Sequence, residues 1–276
     1  MNNKFLTFSK IDDIDTYNKI INVAKLNGLN KNNFYCIGDT LLSKIRSKKL
    51  MYSFVNNSLI IAEDEISFYR IFFYYNIKEP YCNTINLCKP AVIELPYSKL
   101  RENRIYTDIS FVKTMGFKLG RNSAQMLLSS EDVIINNSKS KDYEIVYADP
   151  SNLDEIFYNI QNTFNKLYAY IPTEEELIKK ILNNKVYIAK SYSGKILGLL
   201  NCCSTKSYAI INHILVNQDA RGIGVANSLL NKYHYDYYDR VKGFIHWVDI
   251  DNIPALSMYN KFGYNLSNKR AYEYIK

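Results

Sequence analysis

Along the C-terminal half of the chain, apolar residues fall in short runs whose spacing switches between alternation and a three-to-four-residue period. "YEIVYA" (143–148) alternates and predicts a strand. "PSNLDEIFYNIQNTFNKL" (150–167) has helical spacing and opens on Pro and Ser. "TEEELIKKILNN" (173–184) predicts a second, shorter helix capped by Thr173, with acids in its first turn. "KVYIAKSYSGKILGLLNCCSTKS" (185–207) reads as a hairpin around Ser193–Gly194. "YAIINHILV" (208–216) is a strand rich in branched residues, followed by a glycine turn and a helix to about Asp239. "GFIHWVDI" (243–250) is a strand. "NIPALSMYNKF" (252–262) is a helix with Pro254 in its first turn and Gly263 past its end, and "RAYEYI" (270–275) is a final strand. The order βααβββαβαβ predicts an α+β (α/β) domain.

The N-terminal half closes on a similar pattern. At an offset of 147 residues, Gly116 meets Gly263, Phe117 meets Tyr264, Leu119 meets Leu266 and Ala124 meets Ala271. In both places a helix ends in Gly-aromatic and a strand follows. "LMYSFVNNSLIIAEDE" and "SFYRIFFYYN" read as consecutive strands with an Asn-Asn turn between the first two runs, and the aromatic strand is expected to be buried between sheets. These features predict two copies of one fold in tandem, which suits a chain of 276 residues. The polar stretch "SSEDVIINNSKSKDYE" reads as the join. The expected division is a first domain over 1–130, a linker over 131–142 and a second domain over 143–276.

Composition narrows the setting. No stretch of about 18 uncharged apolar residues is present, so no membrane span is expected. The start, "MNNKFLTFSKIDDIDTY", has no apolar signal core and carries acids early, which points to the cytoplasm. The five cysteines (36, 82, 88, 202 and 203) include no Cys-x-x-Cys pair and read as buried thiols. With three histidines (213, 234 and 246), they offer no metal-ligand spacing, so no metal is expected. The net charge of +8 is scattered as single lysines among Asn and Ser, and no nucleic-acid partner is expected from it.

The segment with the most chemistry is "NQDARGIGVANSLL" (217–230). A strand ends at Val216, a turn with two glycines follows, and a helix begins. The first N–H groups of that helix have no partner and its dipole is positive there, which makes an anion site. Glycine lets anion oxygens reach the N–H groups. There is no Gly-Lys-Ser/Thr, which excludes a P-loop. A third glycine and a suitably spaced acid are also missing, so a dinucleotide fingerprint fits poorly.

Together with "WVDIDNIPALSMYNKFGY" (247–264), this turn resembles the acyl-CoA-binding signature of the Gcn5-related N-acetyltransferase (GNAT) superfamily. The matching positions are Val216, Arg221, Gly224, Ala226, Asn252, Ala255, Tyr259, Gly263 and Tyr264. The resemblance covers about residues 143–276 and implies two tandem GNAT folds, each a mixed, mostly antiparallel sheet flanked by helices. It implies that the edge of Ile214, Leu215 and Val216 pairs with the pantetheine amides. Arg221, Gly222, Ile223, Gly224, Val225 and Ala226 would then hold the pyrophosphate, and Asn252 the pantetheine arm. Tyr259 would protonate the leaving thiolate.

The base is open. Family members often carry Glu four residues before the strand-ending Val, and Asn212 stands there. Alternation points His213 to the opposite face. His246 on the next strand could reach the cleft, and a water relay or an amine arriving neutral would need no dedicated base. The N-terminal copy reads as degenerate: no glycine lies between Gly38 and Gly116, and Val112 takes the place of Tyr259.

The implied activity is transfer of an acetyl group from acetyl-CoA, or another acyl group from its CoA ester, to a primary amine of a small molecule or protein, by direct attack in a ternary complex. The stretch 162–177 would form part of the acceptor wall. Two alternatives remain: a non-catalytic acyl-CoA-binding sensor or assembly module, and an acyltransferase that uses a donor such as aminoacyl-tRNA.

Overall fold

A computed structural model of the chain describes residues 5–135 and 142–276, so the middle of the expected linker, 136–141, lies outside the described residues. The chain divides into two compact units. One comprises residues up to Asn122 together with Lys269–Lys276, and the other is Ser123–Asn268. Residues 123–130 are therefore counted with the second unit and the C-terminal eight with the first.

The first unit contains, in order, β1 (Ser9–Lys10), α1 (Ile14–Leu26), β2 (Lys31–Asn32), α2 (Gly38–Arg46), β3 (Leu50–Val55), β4 (Ser58–Asp64), β5 (Tyr69–Tyr75), β6 (Ala91–Ser98) and α3 (Tyr106–Thr114). β7 (Lys118–Ser129) follows and runs on into the second unit. β1, β3, β4 and β5 pair antiparallel in sequence. β5 and β6 are parallel, but only through Tyr69↔Ala91 and Arg70↔Val92. The C-terminal stretch 269–275 closes this sheet antiparallel to β6. β5 is buried on both faces, as its apolar sequence demands. Ile71, Phe73 and Tyr75 join a core with Phe111 and Val112 of α3, while Phe72 and Tyr74 join one with Ile20, Ile21 and Ala24 of α1. The aromatic strand thus lies between helical layers. The expectation that it lies between sheets is corrected, because helices flank this sheet.

The second unit continues with β8 (Tyr143–Tyr147), α4 (Leu153–Thr163), α5 (Glu174–Leu182), β9 (Val186–Ser191), β10 (Ile196–Ser204), β11 (Tyr208–Val216), α6 (Val225–Tyr237), β12 (Gly243–Asp249) and α7 (Ile253–Lys261). β13 (Asn265–Ile275) starts here and ends in the first unit. β8 to β11 pair antiparallel in order, β12 is parallel to β11, and residues 123–129 of β7 close the sheet antiparallel to β12. α4 stops at Thr163 rather than near 167, because Asn165 turns the chain by accepting a hydrogen bond from the Leu167 N–H. Thr173 and Glu176 cap α5 reciprocally. α4 and α5 bury Ile156, Ile160, Leu177 and Ile181 on one side, in a cluster with Leu199 and Leu215. Val225, Leu229, Leu230 and Tyr233 of α6 belong to a separate cluster with Phe244 and Tyr259.

Cys36, Cys82 and Cys202 are buried and Cys203 is half-buried, but Cys88 is exposed, contrary to the reading of all five as buried thiols. No described helix is long and apolar enough to cross a membrane. Among the described residues there is no cluster of three or more His, Cys, Asp or Glu that could hold a metal ion.

Candidate active site

The site begins where β11 and β12 part. Their pairing runs Tyr208↔Gly243, Ala209↔Phe244, Ile210↔Ile245 and stops. β11 stays bonded to β10 as far as Val216↔Gly198. Among the described residues, no strand pairs with its other edge past Ile210. Ile214, Leu215 and Val216 lie on this open edge, with Leu215 buried under α4 and α5 and the other two against the α6 cluster.

The glycine turn follows. Gly222 and Gly224 have φ of 85° and 89°, the left-handed region that glycine enters without strain. A Cβ at Gly222 would meet nothing within 4 Å, and one at Gly224 would meet only the Tyr143 hydroxyl, at 3.6 Å. The space beside this backbone is open. It belongs to a cavity of about 270 Å³ lined by Val216, Arg221, Gly222, Gly224, Val225 and Ala226, among others. Gly224 caps α6 without a side-chain bond, so the cavity is built around N–H groups that the helix itself cannot satisfy. Position is set by close approach: a Cβ on Gly198 of β10 would lie 2.8 Å from the Leu215 carbonyl and 2.9 Å from Val225, so glycine there seats the start of α6 against the sheet.

Asn252 caps α7. Its Oδ1 accepts from the Ala255 N–H at 3.2 Å, which leaves the amide's two N–H donors for another partner. Tyr259 lies on α7, fully buried, with its ring 4.6 Å from the His246 ring and 5.4 Å from that of Tyr264. Among the described residues its hydroxyl has no hydrogen-bond partner. Burial holds the phenol's pKa above its ordinary value, so the group keeps its proton at neutral pH.

Residues 154–264 match the profile of the Acetyltransferase (GNAT) family. This segment is a GNAT domain. The fold of the whole chain is that of a tandem GNAT protein. A tandem GNAT protein from the clavulanic acid biosynthesis pathway superimposes with a TM-score of 0.56 over 98% of each chain, at 11% identity. A GCN5-related N-acetyltransferase from Sphaerobacter thermophilus gives 0.58 over 80% of this chain and 76% of its own, at 13% identity. A probable N-acyltransferase from Enterococcus faecalis V583 gives 0.54 over 98% and 71%, at 11% identity. A sequence comparison with curated proteins found no match.

Within the GNAT domain the two histidines differ. The pairing register jumps from Asn201↔His213 to Cys202↔Ile211, so Asn212 is an extra residue in β11, a β-bulge. The bulge breaks the alternation that was expected to put Asn212 and His213 on opposite faces. Both residues are linked through one network. Lys180 Nζ donates to Asn212 Oδ1 at 2.9 Å and to Asn201 Oδ1 at 3.0 Å, and Asn201 Nδ2 donates to His213 Nδ1 at 3.3 Å. The His213 ring also bonds the Tyr170 backbone and meets Phe164 edge-on, 4.7 Å away. It is 3% exposed, and burial lowers its pKa to about 4. His213 therefore pins the 164–172 loop to the sheet and is no free base.

His246 stands at the opening itself. Its Nδ1 donates to the Ile211 carbonyl at 3.3 Å, which leaves Nε2 as the acceptor, and burial lowers its pKa to about 4. Lys180 and Asn201 escaped the sequence reading. Neither lies in a motif, and their approach depends on α5 folding back over β10 and β11.

Proposed function

We propose that the second unit binds acetyl-CoA, or a related acyl-CoA, and transfers the acyl group to a primary amine of a small molecule or protein in a ternary complex. One observation carries the reading: the open edge of β11 leads directly into a turn where a Cβ at either glycine would meet no clash and whose residues line a cavity. An extended pantetheine matches the edge, as an added strand would. The pyrophosphate matches the turn, with Arg221 beside it. Asn252 has N–H donors to spare for the pantetheine arm. Tyr259 supplies the proton that the departing thiolate needs. His246 Nε2 is a weak proton acceptor next to that phenol. Residues 162–177 form part of the acceptor wall, and the protein works in the cytoplasm without a metal or nucleic acid.

Calorimetric titration with acetyl-CoA tests this. Micromolar binding to the wild type, lost in Gly224→Glu and in Ala226→Glu, is the expected result. Ala226 is helical, so its variant adds bulk and charge to the cavity without forcing a left-handed backbone. Absence of binding by the folded wild type would overturn the reading.

A further inference from the structure

Lys180 is a half-buried amine with an unusual set of partners. Its Nζ donates to two neutral amide oxygens, Asn201 Oδ1 and Asn212 Oδ1, and among the described residues it has no carboxylate within ion-pair distance. The ionisable groups around it are Glu176 on its own helix, Cys202 and Cys203 on β10, and His213 on β11. Glu176 is engaged elsewhere, by the Tyr170 hydroxyl and the Thr173 N–H. His213 is held neutral by burial.

An ammonium has three N–H groups and a neutral amine has two. Two amide acceptors satisfy the neutral form completely and leave its lone pair unused. They leave the charged form one donor short and with no carboxylate in contact, Glu176 acting only from a distance. Burial acts in the same direction and lowers the Lys180 pKa. The location suits a reacting group. Asn212 lies two residues past the last residue of β11 that pairs with β12, and its neighbour Ile211 accepts from His246, whose ring lies against Tyr259. Lys180 through Asn212 and His246 through Ile211 thus meet β11 at adjacent residues, with Tyr259 against the His246 ring.

We propose that Lys180 is the base that takes the proton from the attacking amine, an assignment that rests on the acyl-transfer reading. The amine nitrogen's electron pair forms the new C–N bond, and its surplus proton passes to the Nζ lone pair. The C–S bond breaks with its electron pair on sulfur, which takes the Tyr259 proton. The ammonium then returns a proton to the phenolate through solvent, so the products are the amide and the free thiol.

The test is the titration of Lys180 in the intact protein. Acetic anhydride labelling at a series of pH values, read by peptide fragmentation, gives the midpoint of each lysine. Lys180 should titrate below the exposed Lys179 beside it. Asn212→Asp, which supplies a carboxylate, should move Lys180 back up while Lys179 stays. A Lys180 midpoint equal to that of Lys179 overturns the proposal. If acetyl-CoA still binds, the failure belongs to Lys180 alone; if acetyl-CoA does not bind, the acyl-transfer reading itself has failed. With an amine acceptor found by screening, Lys180→Arg should lose rate as Lys180→Met does, by about 10²-fold or more. Retention of rate by the Arg variant would show an anchoring charge and overturn the base.

Discussion

In each unit one parallel strand pair among the described residues parts after two or three residues, and the two openings have had opposite fates. In the second unit the edge of β11 beyond the split carries no described strand and runs into the glycine turn and α6. In the first, the same edge of β5 is taken by the chain itself: β2 pairs Lys31↔Tyr75 and Asn32↔Tyr74. Asn33 spans the gap, accepting from the Phe73 N–H at 2.8 Å and donating to the Glu94 carbonyl at 3.3 Å. The Tyr75 ring stacks on Phe111 at 4.3 Å, and its hydroxyl bonds Asp108, which pairs with Lys31. The described connection from β5 to β6 has no helix; instead it sends Cys82 and Ile85 into the core. The lesson is that a splayed sheet must satisfy its open edge. One copy does so with its own peptide, and on the proposed reading the other does so with the pantetheine of acyl-CoA.

The most direct way to break this comparison is stoichiometric. Acetyl-CoA should bind at one equivalent per chain, and Ala226→Glu should weaken it at least 100-fold, about 2.7 kcal/mol. Two equivalents in calorimetry would mean that the filled cleft opens.

Acid comes next. All three histidines lie in the second unit, and burial lowers His213 and His246 to about 4 and His234 to about 3. The unfolded chain therefore binds protons that the folded unit refuses. This stability is present above pH 6.5 and is lost as pH falls towards 4, at up to roughly 3 kcal/mol per buried ring. Amide exchange followed from pH 7 to pH 5 should show protection falling first in the second unit. Uniform loss would contradict that.

A third prediction concerns the plug. Phe111→Ala should cost about 3–5 kcal/mol in urea unfolding, because the stack is core, and it should create no second acetyl-CoA site. The smallest effect separates two phenols. Tyr75→Phe removes a bond to Asp108 and should cost about 1 kcal/mol. Tyr259→Phe removes a hydroxyl with no partner and should change stability by less than about 0.5 kcal/mol. Acyl transfer, on the proposed reading, should fall sharply in Tyr259→Phe alone; an unchanged rate would favour a non-catalytic acyl-CoA-binding module.

Most elements were legible in the sequence because their signals are local. The Thr173 cap, the Ser193–Gly194 hairpin and the Gly116 and Gly263 helix stops each lie within a few residues of what they determine. The bulge at Asn212 was not legible, because alternation counts residues and a bulge is a miscount set by the partner strand. The segment Lys31–Phe34 has no periodicity to advertise a strand, and its pairing was out of reach for the same reason as Lys180: each depends on chain that arrives from elsewhere. The closing strands were hidden by the repeat itself. Residues around Ala124 and Ala271 are equivalent in pattern, so no local feature says which sheet either one completes.

That ambiguity has a practical outcome. Residues 123–129 finish the sheet of the second unit and residues 269–275 finish that of the first. A fragment starting at Tyr143 would contain every group assigned to acyl-CoA and still leave the outer edge of β12 bare, a surface prone to capturing other strands. The complementary fragment would miss the strand beside β6. Proteolysis between 131 and 142 is a different operation, since it leaves every described strand in the nicked protein. The nicked protein consists of two interleaved chains, each holding a piece of the other's sheet, and should survive dilution where separately made halves precipitate.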